Sequence, residues 1–273
     1  MLIYFISIIL AIVVVYLILI MPKILNKPDL KDFKGIYYAH RGLHQEKNIS
    51  PENSLAAFKL AVDHGYGIEL DVQLSKDKVP VVFHDGDLKR LCGLSKKVRD
   101  MSFKELRDLY LYDSQEKIPS LEEVLKLVDG RVPLIVELKV FNNENLDCSI
   151  IASYLDCYKG LYCIESFNPI AVLWYKKNRP HIIRGQLATV KIHSKPIFKQ
   201  RILNFTLRNL MYNFFTKPDF IAYNYKISHL VSYNLCRALY RPLTVAYTIK
   251  SQESLDKQYK KFDLFIFESF TPK

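Results

Sequence analysis

The sequence predicts an α/β fold, a closed (β/α)8 TIM barrel preceded by one N-terminal membrane-spanning helix. Three observations predict it: eight short apolar, β-rich runs along residues 35–273, helical patterns between them, and an uncharged apolar stretch at residues 2–21. With 273 residues and 49% hydrophobic content the chain could build one large domain or two small ones. The unbroken alternation of strand and helix favours one.

The elements follow in order. Leu2 to Met21 carries no charge, and about 20 such residues cross a bilayer as a helix. A cleaved signal peptide would want a basic residue before the apolar core and small residues at the cut. No basic residue precedes this run, and Pro22-Lys23-Ile24-Leu25 is a poor cleavage site. Residues 1–21 are therefore expected to be an uncleaved transmembrane anchor, 22–34 a linker and 35–273 the barrel domain. Lys23, Lys27, Lys31 and Lys34 all follow the span, so the positive-inside rule places a single-pass protein in the cell membrane with its barrel in the cytoplasm.

The surplus of 39 Lys and Arg over 28 Asp and Glu, a net charge of +11, suits nucleic acid, an anionic membrane or a phosphorylated substrate. The apolar run selects the membrane and leaves nucleic acid out. Five cysteines, at 92, 148, 157, 163 and 236, are odd in number and contain no CxxC pair, so neither a zinc site nor a disulfide framework is readable.

Within the domain, strands are expected at 35–41, 67–74, 133–139, 161–167, 182–188, 219–225, 242–249 and 263–269. Helices are expected at 52–64, 121–128, 169–178, 228–239 and 253–261, several opening on Ser, Asn or Asp caps. In such barrels chemistry gathers at the carboxyl ends of the strands. The first strand ends in His40-Arg41-Gly42, the second carries Glu69 and Asp71, and the third ends in Glu137-Leu138-Lys139.

The centre of the arrangement is GIELDVQLSKDKVPVVFHD at 67–85. Strand residues alternate faces, so Glu69 and Asp71 point the same way. The polar SKDK at 75–78 reads as a turn, and the returning strand carries His84 back beside the two acids. Ile68, Leu70, Val72 and Leu74 are apolar, and charges inside a strand buried on both faces are rarely idle. Three carboxylates, Glu69, Asp71 and Glu137, suit a hard divalent ion such as Mg2+ or Ca2+. Arg41 and Lys139 add positive charge that calls for an anion, and Arg geometry favours phosphate. His40 and His84 can serve as general acid and base near neutral pH. Together these residues point to metal-assisted phosphodiester cleavage.

The ordered set HRG at 40–42, PENS at 51–54, ELDVQLSKDKVPVVFHD at 69–85, L-x-R at 88–90 and ELK at 137–139 resembles the glycerophosphodiester phosphodiesterase family. Weaker similarity continues through Ser166-Phe167 to the end of the chain. The resemblance implies a barrel of the same kind as phosphatidylinositol-specific phospholipase C, and cleavage of glycerophosphodiesters to an alcohol and sn-glycerol 3-phosphate with a divalent cation. It makes His40 and His84 the acid/base pair, Glu69, Asp71 and Glu137 the metal ligands, and Arg41 and Lys139 the phosphate contacts. It further implies a glycerol 2-hydroxyl acting as internal nucleophile, giving a cyclic phosphate that water opens. Glu52 and Asn53 match its motif in supporting roles, Asn53 ordering the loop and Glu52 near the metal or His40. Residues 86–118 correspond to the family's small insertion, where Cys92 stands in place of the usual threonine.

Two departures bear on substrate choice. The chain reads Ala-Tyr247-Thr248 where the family often has Trp-Thr, and Glu268-Ser-Phe-Thr-Pro where it has an acidic Asp-x-Pro ending. Phe167 and Tyr247 are expected to line the substrate pocket. Too few residues follow Phe270 for an eighth helix, so either the linker closes the barrel there or its wall is thinner. His44, His64, His181, His193 and His229 receive no catalytic role. The segment 189–217 mixes Lys and Arg with Phe, Leu, Ile, Met and Tyr; it reads either as an ordinary barrel helix or as a basic interfacial helix on anionic lipid. Besides the diesterase, a lysophospholipase D acting on lysophospholipids and a catalytically silent lipid-headgroup binding protein are carried as alternatives, the last disfavoured by the intact histidines and carboxylates. Oligomeric state is not readable.

Overall fold

Eight parallel strands close on themselves, largely buried because one face meets the barrel interior and the other the surrounding helices. The structure is a computed structural model that describes residues 1–44, 48–140, 143–189 and 198–273. The strands are β1 (Tyr37–His40), β2 (Gly67–Leu74), β3 (Leu134–Leu138), β4 (Tyr162–Ser166), β5 (Arg184–Ala188), β6 (Phe220–Asn224), β7 (Leu243–Ile249) and β8 (Leu264–Phe267). Each pairs with its successor and β8 returns to β1, in the register His40 opposite Glu69, Asp71 opposite Glu137, and Glu137 opposite Glu165. Pro80–Val82 adds one antiparallel strand to β2 through Val72 and Val82, the expected hairpin.

Outside the ring lie α2 (Leu55–Asp63), α3 (Leu121–Val128), α4 (Glu144–Leu155), α5 (Pro169–Asn178), α6 (Phe198–Arg208), α7 (Asn213–Thr216), α8 (Val231–Tyr240) and α9 (Gln252–Gln258), after the apolar α1 (Leu2–Leu19). Ser54, Ser120, Asn143, Asn168 and Ser251 each cap a helix start, and Ser120 forms a capping box with Glu123. The helix α4 lies outside the helices that the sequence patterns predict. Residues 86–118 build a separate small core from Leu88, Leu91, Val98, Met101, Leu106 and Leu111, packed on Val81 and Phe83 of the hairpin.

Inside the barrel, Tyr38, Ile135, Cys163, Leu187, Phe220, Val245, Leu264 and Ile266 fill the lower part, and Phe33 from the expected linker closes the base. Two glycines make room for rings here: a Cβ on Gly67 would lie 2.5 Å from Tyr38, and one on Gly185 would lie 2.1 Å from Phe220. The linker therefore plugs the base and leaves the wall beside β8 to others. There Phe265 and Phe267 face outward and are covered by Tyr37, Tyr66, Tyr259 and Phe270, a thinner wall of aromatic contacts. The interior turns polar only at the carboxyl ends of the strands, where the site lies.

The last turn of α1 is part of the barrel. Ile20 is fully buried; its carbonyl accepts from Asn213 Nδ2 at 3.0 Å, and the Leu17 carbonyl accepts from Tyr240 Oη at 2.8 Å. Lys23 pairs with Asp219 at 2.9 Å, and Lys27 donates to the Tyr240 carbonyl at 2.9 Å. Two of the four lysines that follow the apolar stretch are thus engaged with the barrel.

Candidate active site

The alternation of β2 turns Glu69 and Asp71 into the barrel mouth, and the parallel register of β3 sets Glu137 directly beside Asp71. All three are buried, and one carboxylate oxygen of each lies within 4.8 Å of the others. Burial first, then repulsion from Asp71, Glu137 and Glu165, pushes Glu69 well above the usual carboxylate range. Burial also raises Glu137. Asp71 is equally buried, yet Lys139, His84 and Arg41 outweigh that burial and hold it well below the usual range. A pocket of oxygen donors whose acids resist ionising together is what a hard divalent cation relieves. Glu165 Oε2, beside Glu137, is buried and accepts no hydrogen bond, and Asp71 Oδ1 meets only the Lys139 ammonium, 3.1 Å away, so acceptor capacity is left over; the residues fit such an ion.

The turn after β1 wraps this cluster. Arg41 has φ +58° and donates its backbone N–H to Glu69 Oε2 at 3.1 Å. Its guanidinium meets Glu52 Oε1 at 2.7 Å and lies 3.3 Å from Asp71 Oδ2. Asn53, at φ +57°, donates Nδ2 to Asp71 Oδ2 at 2.9 Å and accepts from the Asp71 N–H at 3.4 Å. Glu52 meets neither His40 nor the acid cluster; it joins Arg41 to Arg90 of the insertion, whose guanidinium reaches it at 2.6 Å. Lys139, from the end of β3, pairs with Asp71 and with Glu137 Oε1 at 2.7 Å, its ammonium 5.9 Å from the Phe167 ring centroid.

Both candidate acid/base histidines are held the same way. His40 Nδ1 contacts Glu268 Oε2 at the end of β8, leaving Nε2 3.9 Å from Glu69 Oε2. His84 Nδ1 lies 2.6 Å from Asp85 Oδ1, and Asp85 is itself gripped by Arg90 Nε at 2.6 Å. A carboxylate on Nδ1 selects the tautomer that leaves Nε2 free to take or give a proton. Burial and the Arg41 charge bring His40 down to about 4, against the pull of Glu268, so the ring is neutral at neutral pH. Glu268, also paired with Lys250, stays ionised far below the usual range because His40 and Lys250 outweigh its burial.

The structure thus gathers His40, Arg41, Glu52, Asn53, Glu69, Asp71, His84, Glu137 and Lys139 at one mouth. Phe167 and Tyr247 stand together at its side, ring centroids 6.2 Å apart, with Tyr247 Oη donating to the Ala188 carbonyl at 2.7 Å. Three residues escaped sequence reasoning. Glu165 is buried beside Glu137, and burial pushes its carboxyl well upward. Glu268 holds His40. His44, left without a role above, sits 4.0 Å from Glu268 and lines a 430 Å³ cavity with Glu52, Tyr112 and Phe270. Of the segment 189–217, residues 190–197, His193 among them, lie outside the described residues, as does the Lys199 side chain; within the rest, Lys217 Nζ donates to the Met21 carbonyl at 3.3 Å.

Residues 40–238 match the model of the glycerophosphoryl diester phosphodiesterase family. A glycerophosphodiester phosphodiesterase of Bacillus altitudinis is 30% identical over 177 residues, covering 60% of this chain and 71% of that one. One of Caldanaerobacter subterraneus subsp. tengcongensis is 34% identical over 165 residues, covering 56% and 67%. A lysophospholipase D of Rattus norvegicus is 33% identical over 141 residues, 47% of this chain and 44% of that one. Among solved structures, a phosphodiesterase of Oleispira antarctica in complex with the product sn-glycerol-3-phosphate superposes with a TM-score of 0.70 at 24% identity, covering 86% and 93%, which speaks to the fold.

Proposed function

The chain belongs to the glycerophosphoryl diester phosphodiesterase family, and from that premise we propose that it hydrolyses glycerophosphodiesters, the deacylated phospholipids, to an alcohol and sn-glycerol 3-phosphate. The observation that carries the assignment of roles is the pair of imidazoles at the same barrel mouth as the Glu69, Asp71 and Glu137 cluster, each held at Nδ1 by a carboxylate.

The chain's own groups account for the proton movements. One neutral imidazole takes the proton from the glycerol 2-hydroxyl as its oxygen attacks phosphorus, and the other gives a proton to the departing alcohol oxygen. The two then exchange duties as water opens the cyclic phosphate. Arg41 and Lys139 orient the phosphate oxygens and offset their charge, while Glu52 and Asn53 keep Arg41 and Asp71 in place. Glu69, Asp71 and Glu137 would hold a divalent cation, Mg2+ or Ca2+, which supplies Lewis-acid charge at the phosphate when bound. Phe167 and Tyr247 wall the pocket against the leaving group.

We place the protein at the cell membrane as a single-pass chain with 1–21 as anchor, 22–34 as linker and the barrel over 35–273, on the cytoplasmic side. The burial of Ile20 supports retention of α1, since cleavage after it would strip the Asn213 and Tyr240 donors of their acceptors. The test uses the full chain in detergent with glycerophosphocholine and glycerophosphoethanolamine. Release of glycerol 3-phosphate by the wild type, lost in both His40→Ala and His84→Ala, is the expected result. Full activity in either variant would remove that histidine from the mechanism.

A further inference from the structure

Building on the membrane anchoring proposed above, we infer that the mouth of the barrel faces the bilayer, so that the rim docks on lipid and the site receives substrate from the membrane surface. The direction of α1 carries this. Tyr16 lies beside Ser232, at the start of α8, and beside Tyr223, near the upper end of β6. Ile20 lies one turn lower, where its carbonyl meets Cys236 Sγ at 3.4 Å and Asn213. Lys23 lies lower still, donating its N–H to Pro218 at 3.2 Å and pairing with Asp219, both just before β6 begins. The chain therefore descends from mouth to base along the barrel wall, parallel to α8. The exposed part of α1, Leu2 to Val15, projects beyond the mouth.

The joint is rigid. Because Ile20 is buried and the half-buried last turn of α1 is hydrogen-bonded to the barrel, residues 22–34 do not hold the apolar helix away from it, and a bilayer around α1 meets the rim.

That rim is suited to lipid. Helices and loops that follow the strands open on exposed apolar side chains: Ile49 after β1, Leu146 at the start of α4, Ile170 at the start of α5, Phe198 at the start of α6 and Val231 at the start of α8. Val231 is 68% exposed and Phe198 79%, positions at which a soluble barrel has no need of an apolar group. Exposed Lys226 and Lys250 stand between them on a chain of net charge +11, which complements anionic headgroups. Such a pose adds to the deacylated diesters proposed above a second substrate class, diesters that keep an acyl chain in the membrane, as a lysophospholipid does.

The test places single tryptophans in the full chain, with Trp174→Phe as background and Trp174→Tyr as the alternative if that variant does not fold. Val231→Trp and Ile170→Trp probe the rim, and Lys159→Trp probes the base. In phosphatidylcholine–phosphatidylglycerol vesicles carrying bromine near the headgroups, rim tryptophans should lose about half of their fluorescence and the base tryptophan almost none. Quenching at the base, or none at the rim, overturns the pose. In a second arm, Val231→Asp combined with Ile170→Asp should slow cleavage of lysophosphatidylcholine in vesicles by about tenfold and leave hydrolysis of water-soluble glycerophosphocholine unchanged. The same fold-change on both substrates, or none on either, would overturn delivery from the membrane. Quenching is independent of turnover, so an inactive protein with a quenched rim refutes the proposed reaction alone, and an active one with a quenched base refutes the pose alone.

Discussion

Replacing Glu268 with Gln removes one negative charge and one acceptor from a single place, the Nδ1 side of His40. The carboxylate fixes the tautomer that exposes Nε2 and, in the proposed mechanism, would stabilise the imidazolium formed when Nε2 takes a proton. A glutamine can turn its NH2 toward Nδ1, which selects the other tautomer and points N–H instead of a lone pair at the substrate. Positioned proton transfer is worth about 10²–10⁴-fold, and neutralising the analogous carboxylate of a serine protease triad costs about 10⁴-fold. A loss of about 10²–10⁴ in kcat, or about 3–5 kcal/mol, is therefore expected for Glu268→Gln. KM should stay within about threefold, because Arg41 and Lys139, the proposed phosphate contacts, make no contact with Glu268. The assay is steady-state release of glycerol 3-phosphate from glycerophosphocholine, with His40→Ala and the double variant measured alongside. Since Glu268 acts through His40, the double variant should be no slower than His40→Ala. A Glu268→Gln enzyme within about threefold of the wild-type kcat, or a double variant whose losses add in full, would refute this role.

Arg41→Lys should raise KM by about tenfold with a smaller effect on kcat, because an ammonium cannot reach Glu52 and a phosphate with a planar fork; initial rates over a substrate series check it. Deleting residues 1–22 should lower Tm by about 5–10 °C relative to deleting 1–15, since the longer cut removes the buried Ile20, worth about 2 kcal/mol, and strands the Asn213 and Tyr240 donors. Scanning calorimetry of the two truncations, with equal Tm as the contrary result, decides it. Glu52 is half-buried, which opposes ionisation, but Arg90 and Arg41 outweigh that and bring it down to about 2. A carboxylate depressed on folding adds stability that is present above its unfolded value and lost as pH falls toward its folded value. The gap in urea stability between wild type and Glu52→Gln, about 3 kcal/mol at neutral pH, should close between about pH 5 and pH 2, and a gap that widens on acidification would contradict the ion-pair account.

How much of this was legible in the sequence depends on the range of the interaction. The site residues on β2, the returning hairpin and β3 are close in sequence or set by parallel register, so alternation and the strand-end rule find them. Glu165 obeys the same rule, standing opposite Glu137 at the end of β4, and applying the rule to the fourth strand would have found it. Glu268 is 228 residues from His40, and only closure of β8 onto β1 makes them partners. His44 follows from that same closure. The buried residues of α4, Cys148, Ile151, Ala152 and Leu155, do stand at helical spacing, but the apolar Leu146, Ile150 and Tyr154 on its other faces blur the stripe. The docking of α1 could not be read at all: an apolar run of this length signals a bilayer, and nothing local reveals that Ile20 finishes inside a protein core.

The measurement that bears most directly on the account is the metal dependence of glycerophosphocholine hydrolysis by the full chain and by Glu69→Gln and Glu137→Gln. EDTA should abolish glycerol 3-phosphate release by the wild type and added Mg2+ or Ca2+ should restore it, while each variant requires about 10–100-fold more cation. Turnover that survives EDTA, or variants that respond to cation as the wild type does, would contradict a metal held by these three carboxylates.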